Sequence, residues 1–273
     1  MRIDYLSPDI LLFRGDSLGA LATAFVDGQR VLLVDMLASV YDAIEMRDYL
    51  ERDRGFKVEA LLLPWQGAAR EAGARVFGAA RVLTAPEAGA SLAWGRHRLD
   101  FLAVAGGPAI EVAASGLLLV GERVMGAVAL LGEAGPDLAD KALAQLQQCG
   151  AARIVPAHLG VQDGAALAHA RTYLQALREQ VSRVRSQHDG GALQAAIAAI
   201  ALDACLPGGV HAGALERHWH TENLKRIAHA GWFPAPLSAA QRRAPSPRLA
   251  FFRRGSVMAM LTCMLGRLGR SGV

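Results

Sequence analysis

Leu61-Leu-Leu-Pro-Trp-Gln-Gly-Ala-Ala-Arg-Glu-Ala-Gly73 is the stretch on which the reading of this chain turns. The apolar run from Val58 to Leu63 predicts a buried strand, and residues 67–76 predict a helix after the Pro64 break. A strand that empties through a short loop into a helix is a common way to present catalytic groups. Here the loop and first helical turn offer Trp65, Gly67, Ala69 and Arg70. None of the four carries the imidazole, thiolate or carboxylate that a zinc ion requires.

Upstream, short apolar strands alternate with turns. Ile10–Phe13 and Ala22–Val26 read as strands, and Asp27-Gly28 as a hairpin turn into Val31–Val34, which Asp35 ends. Val40, Ile44, Met46, Tyr49 and Leu50 space like one face of a helix that stops near Arg54-Gly55. Downstream, Arg81–Leu83 predicts a short strand and Pro86–Leu92 a short helix. A second cycle has strands at Leu99–Val104, Ala109–Val112 and Gly116–Val120, a helix over Pro136–Gln148, a strand at Ile154–Pro156 and a long helix over Ala165–Gln187. Two comparable halves of strands followed by helices favour layered sheets covered by helices. Residues 191–206 then read as a nearly pure Ala/Leu/Ile helix and 212–230 as another.

These pieces, over roughly residues 8–180, resemble the metallo-β-lactamase superfamily. Residues 22–35 resemble its first hairpin, with Asp35 on the aspartate that supports the metal loop. Ala80–Glu87 resembles the strand and short helix after the metal motif. Ala105-Gly-Gly-Pro108 is similar to a Gly-His-Thr-Pro segment, with Gly106 on the histidine. Leu117–Val124 resembles the strand ending in Gly-Asp, with Glu122 on the metal-bridging aspartate. Ile154-Val-Pro-Ala-His-Leu-Gly160 resembles Val-Pro-Gly-His-Gly, with His158 on the last zinc ligand. The resemblance implies a mixed α/β (α+β) fold, a four-layer αββα sandwich with a C-terminal helical extension. It implies a core over 1–184, helices over 185–232 packed on it, and a connector with a basic, Met-rich tail over 233–273.

The same resemblance implies a degenerate site. Its His-x-His-x-Asp-His motif falls on Trp65, Gly67, Ala69 and Arg70, so of the metal positions only His158 is intact, with Glu122 a longer substitute. One imidazole and one carboxylate do not hold zinc stably, so neither metal nor another cofactor is expected. Trp65, Gly67, Arg70, Gly106, Glu122 and His158 become the lining of a vestigial or ligand-binding pocket, with no catalytic assignment. A guanidinium engages carboxylates bidentately and keeps its charge, so Arg70 could pair with Glu122 while Trp65 fills the vacated volume. The alternative is an Arg70 on an exposed helix face.

Composition and charge set further limits. The 273 residues are 52% hydrophobic, enough for a packed core. The N-terminus lacks a signal-peptide layout, and no charge-free apolar stretch reaches the ~18–20 residues of a spanning helix. Cys149, Cys205 and Cys263 are odd in number and far apart, which suits a reducing, cytoplasmic setting. The net +4 hides an asymmetry: residues 181–273 hold 12 Lys/Arg against 4 Asp/Glu, and 241–273 hold seven arginines and no acid. Within 249–270, Phe251, Phe252, Met258, Met260, Leu261, Met264 and Leu265 lie between Arg253, Arg254, Arg267 and Arg270. Such a segment suits a protein partner's groove, its own domain or a membrane surface. P-loop and dinucleotide fingerprints are absent, and nucleic acid is not an expected partner. His218-Trp-His220 reads as a helix-surface pair, since residues two apart on a helix point to different faces. The segment 216–227 is similar to the C-terminal helix that some superfamily hydrolases pack over the site entrance, so 185–232 are expected to cover the pocket.

The function these readings favour is a non-catalytic metallo-β-lactamase-fold protein that binds a protein partner or small ligand in regulation or assembly. The alternative is a hydrolase of an ester, thioester or lactone, with a remodelled site around His158 and Glu122.

Overall fold

The computed structural model describes residues 1–65 and 67–234, which belong to one compact unit. The connector and tail expected over 233–273 lie outside the described residues beyond Pro234. Two six-stranded sheets are stacked face to face. The first runs β1 (Arg2–Ser7), β2 (Ile10–Arg14), β3 (Leu21–Asp27), β4 (Arg30–Val34), β5 (Lys57–Leu62) and β6 (Arg81–Leu83). The second has the order β14 (Gln162–Asp163), β13 (Arg153–Pro156), β10 (Leu117–Gly121), β9 (Gly107–Val112), β8 (His97–Val104) and β7 (Ser91–Trp94). Among the described residues only the β4–β5, β5–β6 and β10–β13 pairs are parallel.

Alternation along each strand builds the layers. Leu12, Phe25, Leu32 and Leu62 of the first sheet meet Phe101, Ile110 and Leu119 of the second in a dry central core. The intervening residues face outward. Leu11, Phe13 and Leu33 pack under α1 (Val40–Arg47) and α2 (Ala68–Ala74). Leu118, Val120 and Ile154 pack under α3 (Pro136–Gln148) and α4 (Ala165–Gln187). Strands buried on both faces read as continuous apolar runs, which is why Leu117-Leu-Leu-Val120 is legible without a period. The layers are therefore α, β, β, α, as the sequence implies. At one end of the sandwich, Arg96 grips Asp9 bidentately (Nη2–Oδ1 2.6 Å), tying the β1–β2 turn to the β7–β8 turn. That guanidinium holds the Asp9 carboxyl well below the usual range.

Three expectations are corrected. Residues 86–90 form no helix: Pro86 and a left-handed Gly89 (φ 88°) break the chain, and β7 follows, pairing with β8. The helix expected over 191–206 stops early as α5 (Gly190–Ala198), followed by a short turn at Leu202–Ala204. Its Ala/Ile composition carries no punctuation, and a tertiary bond claims the Ile200 carbonyl instead. That bond comes from His220 Nε2 (2.9 Å), so His220 is not a surface residue. It is buried on α6 (Ala214–Ala230), while its neighbour His218 stays exposed.

His220 belongs to a chain of buried hydrogen bonds that docks α6. With Nε2–H donated to Ile200, Nδ1 accepts from the Tyr173 hydroxyl at 2.9 Å. Tyr173 in turn accepts from Asn223 Nδ2 (3.1 Å), which also donates to the Ala129 carbonyl (2.7 Å). Asn223 Oδ1 accepts from Leu131 N–H at 3.1 Å. Ala129 ends a small hairpin, β11 (Val124–Met125) and β12 (Val128–Ala129), that continues from β10. Asn223→Ala takes their side-chain partner from the Ala129 carbonyl and the Leu131 N–H and one of two partners from the Tyr173 hydroxyl, at about 1–3 kcal/mol for each buried group left unpaired before any water enters. A loss of at least about 2 kcal/mol in urea unfolding is expected, and a loss under about half a kcal/mol would show that the network does not hold α6.

Candidate functional site

Four strand ends converge at the opposite end of the sandwich from Asp9: Asp35 after β4, Trp65 after β5, Glu122 and Arg123 after β10, and His158 after β13. Parallel neighbours point their C-terminal ends the same way, so β4 with β5 and β10 with β13 deliver these residues together.

Arg70 is the centre of the group. It lies in the first turns of α2 and its side chain is only 11% exposed, so it does not sit on a free helix face. Nε donates to Asp35 Oδ1 at 2.5 Å and Nη2 to Glu122 Oε1 at 2.8 Å. Gly67 makes room for it: a Cβ there would stand 3.3 Å from Arg70 Nη1. Burial opposes the Arg70 charge, but Asp35 and Glu122 outweigh it and hold the guanidinium above its ordinary value. Asp35 is buried in a left-handed backbone (φ 64°), with the Met36 N–H on Oδ1 at 2.8 Å. Burial pushes its carboxyl up to about 6, against the pull of Arg70.

Trp65 packs on the central core, donates Nε1–H to the Pro108 carbonyl at 3.2 Å, and lays its indole across Gly121. His158 is buried; its Nδ1 contacts the Leu18 carbonyl at 3.0 Å and must be the protonated nitrogen there. Nε2 then carries the lone pair and faces Glu122 Oε1 at 4.0 Å. Burial lowers the His158 pKa, favouring this neutral form. Gly106 (φ 79°) sits in the β8–β9 turn and lines a neighbouring pocket of about 250 Å³ that also touches Glu122. Ala69 is exposed on α2. The expected lining residues thus divide into an ion cluster (Arg70, Glu122, with His158 beside it), an indole plug (Trp65) and two glycines (Gly67, Gly106).

Two residues not among the expected lining residues matter. Asp35, read only as the support of a metal loop, is Arg70's shorter contact. Arg123 is the residue that sequence hides, its one signal being a basic residue directly after the strand-end Gly121-Glu122. The helices of 185–232 do not line the pocket; α6 packs on the β11–β12 hairpin, although Trp232 abuts Gly135 at the pocket rim.

Fold and site together define a metallo-β-lactamase-fold chain whose metal positions are degenerate. No protein-family model and no curated protein matches its sequence. Solved structures do match. The chain is similar to a metallo-β-lactamase from Pontibacter korlensis, with TM-score 0.53, 15% identity, and 64% of this chain and 98% of that one covered. The metallo-β-lactamase from Hirschia baltica gives 0.50, 12%, and 63% and 96%; the DIM-1 metallo-β-lactamase exposed to ceftazidime gives 0.51, 16%, and 64% and 96%. At these identities the likeness establishes the fold alone.

The zinc centre that this fold implies does not fit the residues present. Among the described residues, no group of three or more His, Cys, Asp or Glu side chains converges as a metal cage would. The two carboxylates nearest the expected place share a fixed guanidinium cation, which repels a second cation. Among the described residues, no helix is long and apolar enough to cross a membrane.

Proposed function

We propose that this chain is a metal-free binding protein built on the metallo-β-lactamase fold, acting on a partner or small ligand without hydrolysing it. The observation that carries the reading is the seat of Arg70, whose guanidinium occupies Asp35 and Glu122 together. A permanent cation there takes over the charge balance that a metal would otherwise supply. The hydrolase alternative needs His158 to activate water or a nucleophile. Its basic Nε2 has the Glu122 carboxylate beside it at 4.0 Å and no nucleophile to activate, since among the described residues the wall of the neighbouring pocket holds no Ser, Thr or Cys. The basic sequence of 241–273 is the element best suited to an acidic partner, in a cytoplasmic setting where the thiols stay reduced.

Elemental analysis of protein purified without chelators tests the reading, with His158→Ala as control. Metal far below stoichiometric in both is the expected result. One equivalent of zinc or iron, lost in His158→Ala, would overturn it and return the hydrolase.

A further inference from the structure

We infer that the pocket walled by Arg123 and the start of α3 binds a small amphipathic monocarboxylate, its head on the guanidinium and its tail along the helix. The inference rests on the metal-free reading above and adds the chemistry of the ligand.

Arg123 follows β10 and is half-buried. Nη1 donates to the Val120 carbonyl (2.6 Å) and the Pro108 carbonyl (3.2 Å), and Nη2 to the Gly107 carbonyl (2.7 Å). These bonds fix the plane of the guanidinium but bring no negative charge. Among the described residues no carboxylate lies within ion-pair distance of it. Burial drops its pKa to about 10, so it stays charged at neutral pH while poorly compensated. Nε–H and the second hydrogen of Nη2 make no hydrogen bond among the described residues. Those two nitrogens are neighbours in the guanidinium plane, the fork that a carboxylate engages. A half-buried cation held rigid by three carbonyls with donors to spare is a preorganised anion receptor.

A second element faces the same cavity. Helix α3 has 13 residues and begins after Gly135, which offers no side-chain cap. Pro136 brings no N–H, and the N–H groups of Asp137 and Leu138 lie too early in the helix for an intrahelical acceptor. Gly135 and Leu138 both line the pocket. Partial positive charge at this helix end adds to that of Arg123.

Leu130, Leu138, Ala139 and Ala142 give the cavity of about 250 Å³ an apolar side, and that volume suits a short chain rather than a large substrate. Glu122 and Glu133 also border the space. Glu122 is engaged by Arg70 and Glu133 is exposed at the mouth. Both still penalise a second negative charge, so a monoanion is favoured over a phosphate dianion.

Sodium hexanoate is the probe. It is titrated into the full chain while the backbone amide and arginine Nε–H signals are followed by NMR, with hexan-1-ol and inorganic phosphate as controls. Expected are saturable shifts at Arg123 Nε–H, Leu138 and Ala139, and affinities for hexanol and phosphate about tenfold weaker or more. Arg123→Gln is expected to abolish binding, but Arg123 also braces the β8–β9 turn. Ala139→Phe therefore serves as the second variant, filling the pocket without touching those carbonyl bonds. It is expected to lose hexanoate binding with an unchanged fold. No saturable shift, an equal response to hexanol, or undiminished binding in Ala139→Phe overturns the inference and leaves the metal-free reading standing. Stoichiometric metal lost in His158→Ala overturns both.

Discussion

Replacing Arg70 by methionine costs the fold about 3–5 kcal/mol near pH 8 and much less near pH 5. Methionine keeps the length and apolar stem of the side chain but leaves Asp35 as a buried carboxylate without its cation. The sign of the pH effect follows from Asp35. Its pKa in the folded protein, about 6, stands above the ordinary carboxylate value because burial outweighs Arg70. A carboxyl raised in this way contributes stability that is complete below the unfolded pKa of about 4 and is lost as pH rises through about 6, for a total near 3 kcal/mol. Without Arg70 the folded pKa climbs further, so the variant's deficit grows with pH and shrinks once Asp35 takes up its proton. Acidification also charges His158 and His220, whose lowered values favour the fold only above about pH 6.5. Differences between Arg70→Met and the parent at matched pH, from urea midpoints, cancel the His220 contribution and leave of the His158 contribution only the part that Arg70 causes, the last and smallest of its causes. An equal deficit at pH 5 and pH 8 would remove Asp35 from the account.

Gly121→Ala carries the second large expected effect, about 2–5 kcal/mol. Gly121 has φ 62°, and a Cβ placed on it would clash with Trp65 Cε2 and lie 2.5 Å from Nε1. The backbone penalty alone is about 1–2 kcal/mol; the rest is the indole being driven off the core. A double-mutant cycle separates the two. In a Trp65→Ala background the clash is gone, so Gly121→Ala is expected to cost only the backbone part. The same cost in both backgrounds would falsify the claim that the indole occupies this glycine's face.

How much of this was legible follows from the physics of each element. Helices α3 and α4 run over Pro136–Gln148 and Ala165–Gln187, the spans read from sequence, because Pro136 marks one start and both carry an apolar stripe. Strand β1 is not legible in the sequence because it is a half-exposed edge with charged residues among its apolar ones. The β11–β12 strands are two residues each, too short for any periodic signal. His220 was read as surface from its two-residue spacing to His218. That spacing places the two on different faces, and only the docking of α6 on Tyr173 and Ile200 decides which face is buried.

Sequence by itself determined the layered fold and the loss of metal donors at Trp65, Gly67, Ala69, Arg70 and Gly106. Both are local facts: short apolar runs of strand length stand between turn residues, and a side chain without a donor atom lacks one in any conformation. Only the tertiary structure decided what replaced the metal. Arg70 meets Asp35 across 35 positions and Glu122 across 52, and either partner could equally have gone to solvent. The same holds for Arg123, whose three carbonyl contacts and unspent donors arise from the meeting of β9, β10 and α3. A charge acquires its chemistry from its burial and its neighbours, and those exist only once the sheets have stacked.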